Sequence, residues 1–254
     1  MTAKRALTLP APAKLNLFLH VTGQRSDGYH TLETLFVLIG RGDTISLASR
    51  DDGAIVREAG ADNIAAEDDL AVRAARLLQP RCRERRGVSI AVAKRLPVGA
   101  GLGGGSSDAA TVLLGLNRLW DLNASREELM AIALELGADV PFFVFGQPAF
   151  ARGIGEQLAA TTVPTTWFAV VTPPIAVSTR EIFAAPELTR NSESAKMRVF
   201  SEGYGRNDLY GVAAARFPGI ARCLDALARE APGSGARMTG SGAAGDFSWG
   251  ISME

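Results

Sequence analysis

The sequence predicts a two-domain protein of the α+β class. Its first third contains runs typical of β-strands, its middle contains amphipathic helices, and a polar stretch at 161–166 precedes a further strand pattern. A chain of 254 residues can form one large domain or two smaller ones. We therefore expect an N-terminal domain over 1–160 and a C-terminal domain over 161–254.

The strand predictions rest on alternation of side-chain character. In residues 14–21, leucines and valine alternate with a second set, namely Lys14, Asn16, Phe18 and His20. This pattern predicts a strand with one face committed to the core. Further strands are predicted at Leu32–Ile39, Thr44–Ala48, Val88–Ala93 and Trp167–Val171.

Four helices are predicted, three of them from apolar residues at helical spacing. The first begins near Ser107 or Asp108, where Asp108 would be a first-turn carboxylate that interacts with the helix dipole. The second begins after Ser125, which forms a capping box with Glu128, and ends before a left-handed Gly137. The third begins at about Asn207, and the fourth covers Pro218 to Glu230.

Composition excludes several classes of function. Lys plus Arg equals Asp plus Glu at 27 each, so no basic surface predicts a nucleic-acid partner or an anionic membrane. Two isolated cysteines and two histidines argue against a zinc site or a disulfide framework. We find no run of apolar residues long enough for a signal peptide or a membrane span and expect a cytoplasmic protein.

The segment PVGAGLGGGSSDAA (97–110) places five of the 27 glycines within seven positions. A flexible linker fits poorly between a strand and an uninterrupted helix, and neither the dinucleotide nor the Walker A spacing is present. Bare backbone N–H groups before a helix N-terminus are typical of a phosphate cradle. The predicted cradle consists of Pro97, Val98, Gly99, Ala100, Gly101, Leu102, Gly103, Gly104, Gly105, Ser106 and Ser107.

This segment resembles the phosphate-binding motif of the GHMP small-molecule kinases. Three further motifs extend the resemblance over residues 10–242: PAKLNLFLHVTGQRSDGYHTLETLF (12–36), LGADVPFFVFG (136–146) and RNDL (206–209). The resemblance implies the two-domain GHMP kinase fold, whose N-terminal domain resembles domain 2 of ribosomal protein S5 and whose C-terminal domain is ferredoxin-like.

The resemblance also implies roles for individual residues. Asp139 matches the catalytic aspartate and Lys14 the lysine that pairs with it, although an isolated Asp139 would fit a helix N-cap and an isolated Lys14 a solvated strand residue. Asn16 matches a residue that positions the acceptor. Tyr29 and His30 match residues that stack on a cytosine base and read its edge, and Phe183 resembles the opposing ring.

The implied activity is ATP-dependent phosphorylation of the 2-hydroxyl of 4-diphosphocytidyl-2-C-methyl-D-erythritol, a step of the non-mevalonate (MEP) isoprenoid route. Mg²⁺ would arrive with ATP, held mainly by phosphates, with no metal site made by the protein and no organic prosthetic group. The expected partners are small molecules, together with a second copy of the chain in a weak homodimer. Two alternatives stay open: another GHMP kinase, or a non-catalytic nucleotide-binding protein.

The sequence departs from this family after about residue 242. The family motif Met-x-Gly-Ser-Gly is normally followed by a buried strand and a helix, whereas this chain continues as AAGDFSWGISME (243–254), without strand alternation. We therefore expect a C-terminal domain that is truncated or altered there, with an uncovered sheet edge.

Overall fold

The structure, a computed structural model, describes residues 5–82, 84, 86–175, 177–194, 205–230, 232, 235–241 and 245–249. The chain forms two compact units that interleave along the sequence. The first unit takes residues 1–13, 40–96 and 103–146, and the second takes 14–39, 97–102 and 147–254. The division into domains 1–160 and 161–254 stays a prediction.

The first unit combines parts of two long strands with several helices. Strands β1 (Ala6–Gln24) and β2 (His30–Arg50) contribute residues 6–13 and 40–50. Its other elements are β3 (Ile55–Ala59), α1 (Leu70–Leu78), a 3₁₀ turn (Gln79–Arg81), β4 (Gly87–Ala93), α2 (Gly104–Leu119), α3 (Arg126–Leu136) and α4 (Val140–Phe145). Strand β4 pairs parallel to β3 and antiparallel to β2. Helix α2 packs against α1, α3 and α4, and its buried side chains include Leu113, Leu116 and Leu119.

Strand β2 is continuous, so the prediction of two strands at Leu32–Ile39 and Thr44–Ala48 is wrong. Gly40 and Gly42 lie between the two predicted runs. In the structure, a Cβ atom at Gly42 would overlap the backbone carbonyl of Ala11. This glycine therefore permits the close approach of β1 within the first unit.

The second unit contains the rest of β1 and β2 and most of the C-terminal half. Its other elements are β5 (Ala149–Arg152), β6 (Gln157–Ala160), β7 (Trp167–Val171), α5 (Thr179–Phe183), α6 (Tyr210–Arg216), α7 (Pro218–Glu230), β8 (Arg237–Met238) and β9 (Gly245–Trp249). Strand β5 pairs antiparallel with both β2 and β6. The hydrophobic core of the second unit includes Val21, Ile182, Leu209, Ile220 and Met238.

The C-terminal segment forms a strand, contrary to the prediction. Strand β9 lies between β7 and β8 and pairs antiparallel with both. Strand pairing uses backbone N–H and C=O groups, so it does not require the side-chain alternation that residues 243–254 lack. The sequence predicted an uncovered sheet edge, whereas β9 pairs with both β7 and β8 in this sheet. Residues 242–244 and 250–254, and with them the question of a closing helix, lie outside the described residues.

Several local predictions are confirmed, and three are wrong in detail. Helix α3 has the predicted capping box, and α7 has the predicted bounds. Gly137 follows α3, but its φ of 159° and ψ of 157° are not left-handed helical values. Helix α2 begins at Gly104, so Asp108 lies in its second turn. Both faces of β1 are buried at 14–21, since Lys14, Asn16, Phe18 and His20 are at most 6% exposed.

Candidate active site

The glycine-rich segment bends as its composition predicts. Gly99 and Gly101, in the second unit, have φ values of 74° and 80°. Gly103, in the first unit, has a φ of 72° and is the N-cap of α2. Residues with a side chain larger than hydrogen rarely adopt this left-handed backbone conformation. This explains why glycine recurs at alternate positions. Between these bends, Ala100 and Leu102 are buried, whereas Val98 is 60% exposed.

The first turns of α2 carry an unsatisfied hydroxyl. The Oγ atom of Ser107 is buried and has no hydrogen-bond partner among the described residues. A Cβ atom at Gly104 would lie 3.4 Å from the Nζ atom of Lys94. Free N–H groups at the start of a 16-residue helix, a nearby ammonium and an unpartnered hydroxyl together fit a phosphate group.

Lys94 connects two buried carboxylates in the first unit. Its Nζ atom lies 2.5 Å from Asp43 and 2.8 Å from Asp108. Burial would raise the pKa of Asp43, but hydrogen bonds from the backbone N–H groups of Arg95 and Leu96 and from Lys94 lower it overall. Burial raises the pKa of Asp108 to about 6, although Lys94 opposes this. Asp108 is therefore not the first-turn carboxylate that the sequence predicted but a buried second-turn carboxylate bonded to Lys94.

Lys14 and Asn16 form a buried polar pair on β1. The Lys14 Nζ donates to Asn16 Oδ1 over 2.6 Å, and Asn16 Nδ2 donates to the Thr34 hydroxyl over 2.8 Å. These two bonds fix the orientation of the Asn16 amide. The Lys14 ammonium also lies 5.4 Å from the centre of the Phe36 ring. At 3% exposure, Lys14 is not the solvated strand residue that a lone lysine would suggest.

The structure adds Thr239 and Gly240 to this pair. The Asn16 backbone N–H donates to the Thr239 hydroxyl over 2.7 Å, and the Lys14 N–H donates to the carbonyl of Leu102 over 3.0 Å. Gly240 has a φ of 59°, and a Cβ atom there would lie 2.9 Å from the carbonyl oxygen of Gly101 and 3.3 Å from the Lys14 Nζ. Sequence reasoning noted the motif around Gly240 without assigning it to the site.

Asp139 lies immediately before α4 in the first unit. It occupies the N-cap position with a right-handed helical backbone, yet its side chain accepts no capping hydrogen bond. The helix has Pro141 in its first turn, which removes one N–H group that a cap would satisfy. The structural alternative for Asp139, a capping carboxylate, is therefore absent. Its pairing with Lys14 stays a prediction.

The three residues predicted to bind a base belong to the second unit. Tyr29 follows the turn between β1 and β2 and is 59% exposed, so its ring is available for stacking. The rings of His30 and Phe183 lie 5.1 Å apart at an interplanar angle of 35°. The structure thus brings His30 and Phe183 together from 153 positions apart in sequence. Their role in binding a base stays a prediction.

The described residues also bear on metal binding and on membrane insertion. No group of three or more His, Cys, Asp or Glu side chains within the described ranges is arranged to hold a metal ion. Every helix formed by those residues is too short or too polar to cross a lipid bilayer.

Comparison with known proteins places the chain in a family. Residues 69–147 match the model of the GHMP kinases N terminal domain. The chain is 58% identical over 234 residues to the 4-diphosphocytidyl-2-C-methyl-D-erythritol kinase of Thiobacillus denitrificans, covering 92% of this chain and 83% of that protein. It is 55% identical to the enzyme of the same name from Aromatoleum aromaticum, covering 94% and 83%.

Solved structures agree with this assignment. A crystal structure of 4-(cytidine 5'-diphospho)-2C-methyl-D-erythritol kinase superposes with a TM-score of 0.83 at 35% identity, covering 95% of this chain and 89% of the other. The homoserine kinase of Cytophaga hutchinsonii, at 16% identity and a TM-score of 0.64, covers 98% and 86% and shares the fold. The α+β GHMP kinase fold is therefore confirmed, and the chain belongs to the 4-diphosphocytidyl-2-C-methyl-D-erythritol kinase family of GHMP kinases.

Proposed function

We propose that this chain transfers the γ-phosphoryl group of ATP to the 2-hydroxyl of 4-diphosphocytidyl-2-C-methyl-D-erythritol, in the MEP route to isoprenoid precursors. The main support is the 58% identity to a relative of that name over most of both chains. The chain is an ATP-dependent small-molecule kinase, because its relatives are kinases and it carries the GHMP kinase domain. The homoserine kinase structure, which would represent the alternative of a different GHMP kinase, is 16% identical to this chain and indicates the fold alone.

In the proposed reaction, the 2-hydroxyl oxygen attacks the γ-phosphorus while the bond from phosphorus to the bridging oxygen of the leaving ADP breaks. Asp139 accepts the proton of the hydroxyl. Lys14 stabilises negative charge on the reacting oxygens, and Asn16 directs the Lys14 ammonium through its 2.6 Å hydrogen bond.

The nucleotide phosphates would bind at residues 97–107, from Pro97 to Ser107. The left-handed glycines would turn backbone N–H groups toward the phosphates, and the unpartnered Ser107 hydroxyl would donate to a phosphate oxygen. A Mg²⁺ ion would arrive with ATP and would be held mainly by phosphates and water. When bound, the ion would neutralise charge on the β- and γ-phosphates.

The test is a coupled assay for ADP release with 4-diphosphocytidyl-2-C-methyl-D-erythritol as acceptor. We expect Asp139→Asn to lower kcat by at least about a hundredfold, because the general base is lost. The affinity for ATP, measured by titration calorimetry, should remain nearly unchanged. The exposed Asp62→Asn serves as a matched control, and its kcat should equal that of the wild type.

Each alternative predicts a different result in the same assay. Turnover of homoserine or mevalonate, without turnover of the cytidine-containing acceptor, would favour another GHMP kinase. ATP binding without acceptor-dependent ADP release would favour the non-catalytic nucleotide-binding protein. A cytoplasmic location and a weak homodimer remain proposals, and sedimentation velocity over a range of protein concentrations tests the dimer.

A further inference from the structure

Arg190 makes a direct hydrogen bond to the ring of His30. The Arg190 Nε donates to His30 Nε2 over 2.9 Å. This is the one hydrogen bond that the His30 ring makes to any other described residue. His30 as a whole residue is 9% exposed, so little water is near to compete for this bond.

This bond determines where the proton of the imidazole lies. A guanidinium group has only donors and is not deprotonated in proteins, so the Nε2 atom of His30 must be the acceptor. A neutral imidazole with an accepting Nε2 carries its proton on Nδ1. Burial, and in second place the positive charge of Arg190, lowers the pKa of His30, which is consistent with a neutral ring.

Arg190 is itself held by the backbone that carries Phe183. The Arg190 Nη2 atom donates to the carbonyls of Phe183 over 3.0 Å and Ala185 over 2.7 Å. The Arg190 Nη1 atom donates to the carbonyl of Leu188 over 3.0 Å. These three bonds fix the plane of the guanidinium group, so its Nε–H can point in only one direction. The guanidinium group therefore connects the backbone of Phe183 to the ring of His30. The side-chain rings of these two residues lie 5.1 Å apart.

We propose that Arg190 is a positioning residue that holds His30 in the Nδ1–H tautomer, so that His30 presents a hydrogen-bond donor to the base of the acceptor substrate. This inference rests on the proposed function. Cytosine carries two acceptors, O2 and N3, on its pairing edge, whereas N3 of uracil carries a proton. A fixed donor therefore favours cytosine, because a donor that faces another donor leaves both without a partner.

The tautomer can be read directly in the free protein. The chain contains two histidines, so a long-range ¹H–¹⁵N spectrum of uniformly labelled protein shows two imidazoles, and His30→Asn assigns them. We expect the wild-type His30 to carry its proton on Nδ1 at pH 8. A proton on Nε2 overturns the proposal, and this measurement needs neither a substrate nor an Arg190 variant that folds.

Variants then test whether the tautomer matters for recognition. Arg190→Met should let His30 shift toward the Nε2–H tautomer and weaken binding of CDP by roughly 3- to 10-fold, the value of one hydrogen bond. It should also reduce the preference for CDP over UDP, and Arg190→Lys, which keeps a donor, should restore part of both. Arg216→Met is the matched control, because Arg216 bonds to Glu181 and Glu187 in the same region without contacting His30.

The outcomes separate this inference from the proposed function. An Nδ1–H tautomer with no turnover of the cytidine-containing acceptor would reject the function alone. Normal turnover with an unchanged tautomer and unchanged CDP preference in Arg190→Met would reject the inference alone. Equal weakening of CDP and UDP by Arg190→Met and Arg216→Met would show only a general loosening of the segment after α5 and would also overturn the proposal.

Discussion

The Lys14 ammonium and the Asn16 carboxamide, two residues apart on β1, share a buried hydrogen bond of 2.6 Å. The Asn16 Nδ2 atom donates to the Thr34 hydroxyl, and the Asn16 backbone N–H donates to the Thr239 hydroxyl. Asn16 therefore connects the proposed catalytic lysine to two other segments of the second unit. Its side chain can fill this role only in one orientation, because the oxygen must accept and the nitrogen must donate.

We predict that Asn16→Leu lowers kcat by at least about tenfold, because Lys14 loses the acceptor that directs it. The KM for ATP should change less than kcat. The control is Asn117→Leu, since Asn117 also makes two hydrogen bonds, both to the backbone of Ala124, but lies outside the site. Steady-state kinetics of both variants checks this, and similar kcat values for the two would contradict the prediction.

Gly240→Ala should destabilise the protein and reduce turnover. The new Cβ atom would lie 2.9 Å from the carbonyl of Gly101 in a left-handed backbone conformation that alanine disfavours. We expect the free energy of unfolding in urea to fall by about 1–3 kcal/mol. In Gly211→Ala, within α6, the Cβ meets nothing within 4 Å, so this control should be neutral or slightly stabilising. Equal urea midpoints for the two variants would be inconsistent with the close approach at Gly240.

Ser107→Ala should separate stability from nucleotide binding. Because the buried Ser107 hydroxyl has no partner, its removal should leave the free energy of unfolding of the nucleotide-free protein unchanged or slightly higher. The KM for ATP should rise by roughly 3- to 10-fold through loss of one hydrogen bond to phosphate. Ser125→Ala is the reciprocal control, because it removes the capping box of α3 and should cost about 1 kcal/mol without affecting KM. A destabilised Ser107→Ala with normal KM would reject the assignment.

Asp43 and Asp108 both bind Lys94, yet their contributions to the free energy of unfolding should change with pH in opposite directions. The pKa of Asp108 is raised by burial to about 6 from 3.8, so the native state binds an extra proton between these values. Its contribution to stability is present below about pH 4 and is lost as the pH rises through 6. Relative to the wild type, Asp108→Asn should therefore gain roughly 1–2 kcal/mol between pH 5 and pH 8 in urea titrations of nucleotide-free protein.

Asp43→Asn supplies the opposite case. The pKa of Asp43 is lowered overall, because bonds from Arg95, Lys94 and Leu96 outweigh the effect of burial. Its stabilisation is therefore present above pH 4 and is lost as the pH falls through its native pKa. This variant should lose about 3 kcal/mol at pH 7, since the carboxylate partner of the Lys94 ammonium is removed. A wild-type-like Asp43→Asn would show that the cluster contributes little to folding.

Short segments of sequence determined the local structure. The glycines at 99, 101 and 103 required left-handed bends, the Ser125–Glu128 pair required a capping box, and the apolar stripe of Pro218–Glu230 required a helix. Each depends on backbone dihedral preferences or on hydrogen bonds within a few residues, so the information lies in the segment itself. The order of four such motifs was also enough to indicate the family.

Only the tertiary structure decided which distant residues meet. His30 and Arg190 are 160 positions apart, and Asn16 and Thr239 are 223 apart, yet each pair shares a hydrogen bond. The burial of Asp108, the continuity of β2 and the pairing of β9 likewise depend on neighbouring elements rather than on local pattern. The physical reason is that burial and long-range hydrogen bonds arise from the packing of segments, and a single segment carries no record of its neighbours.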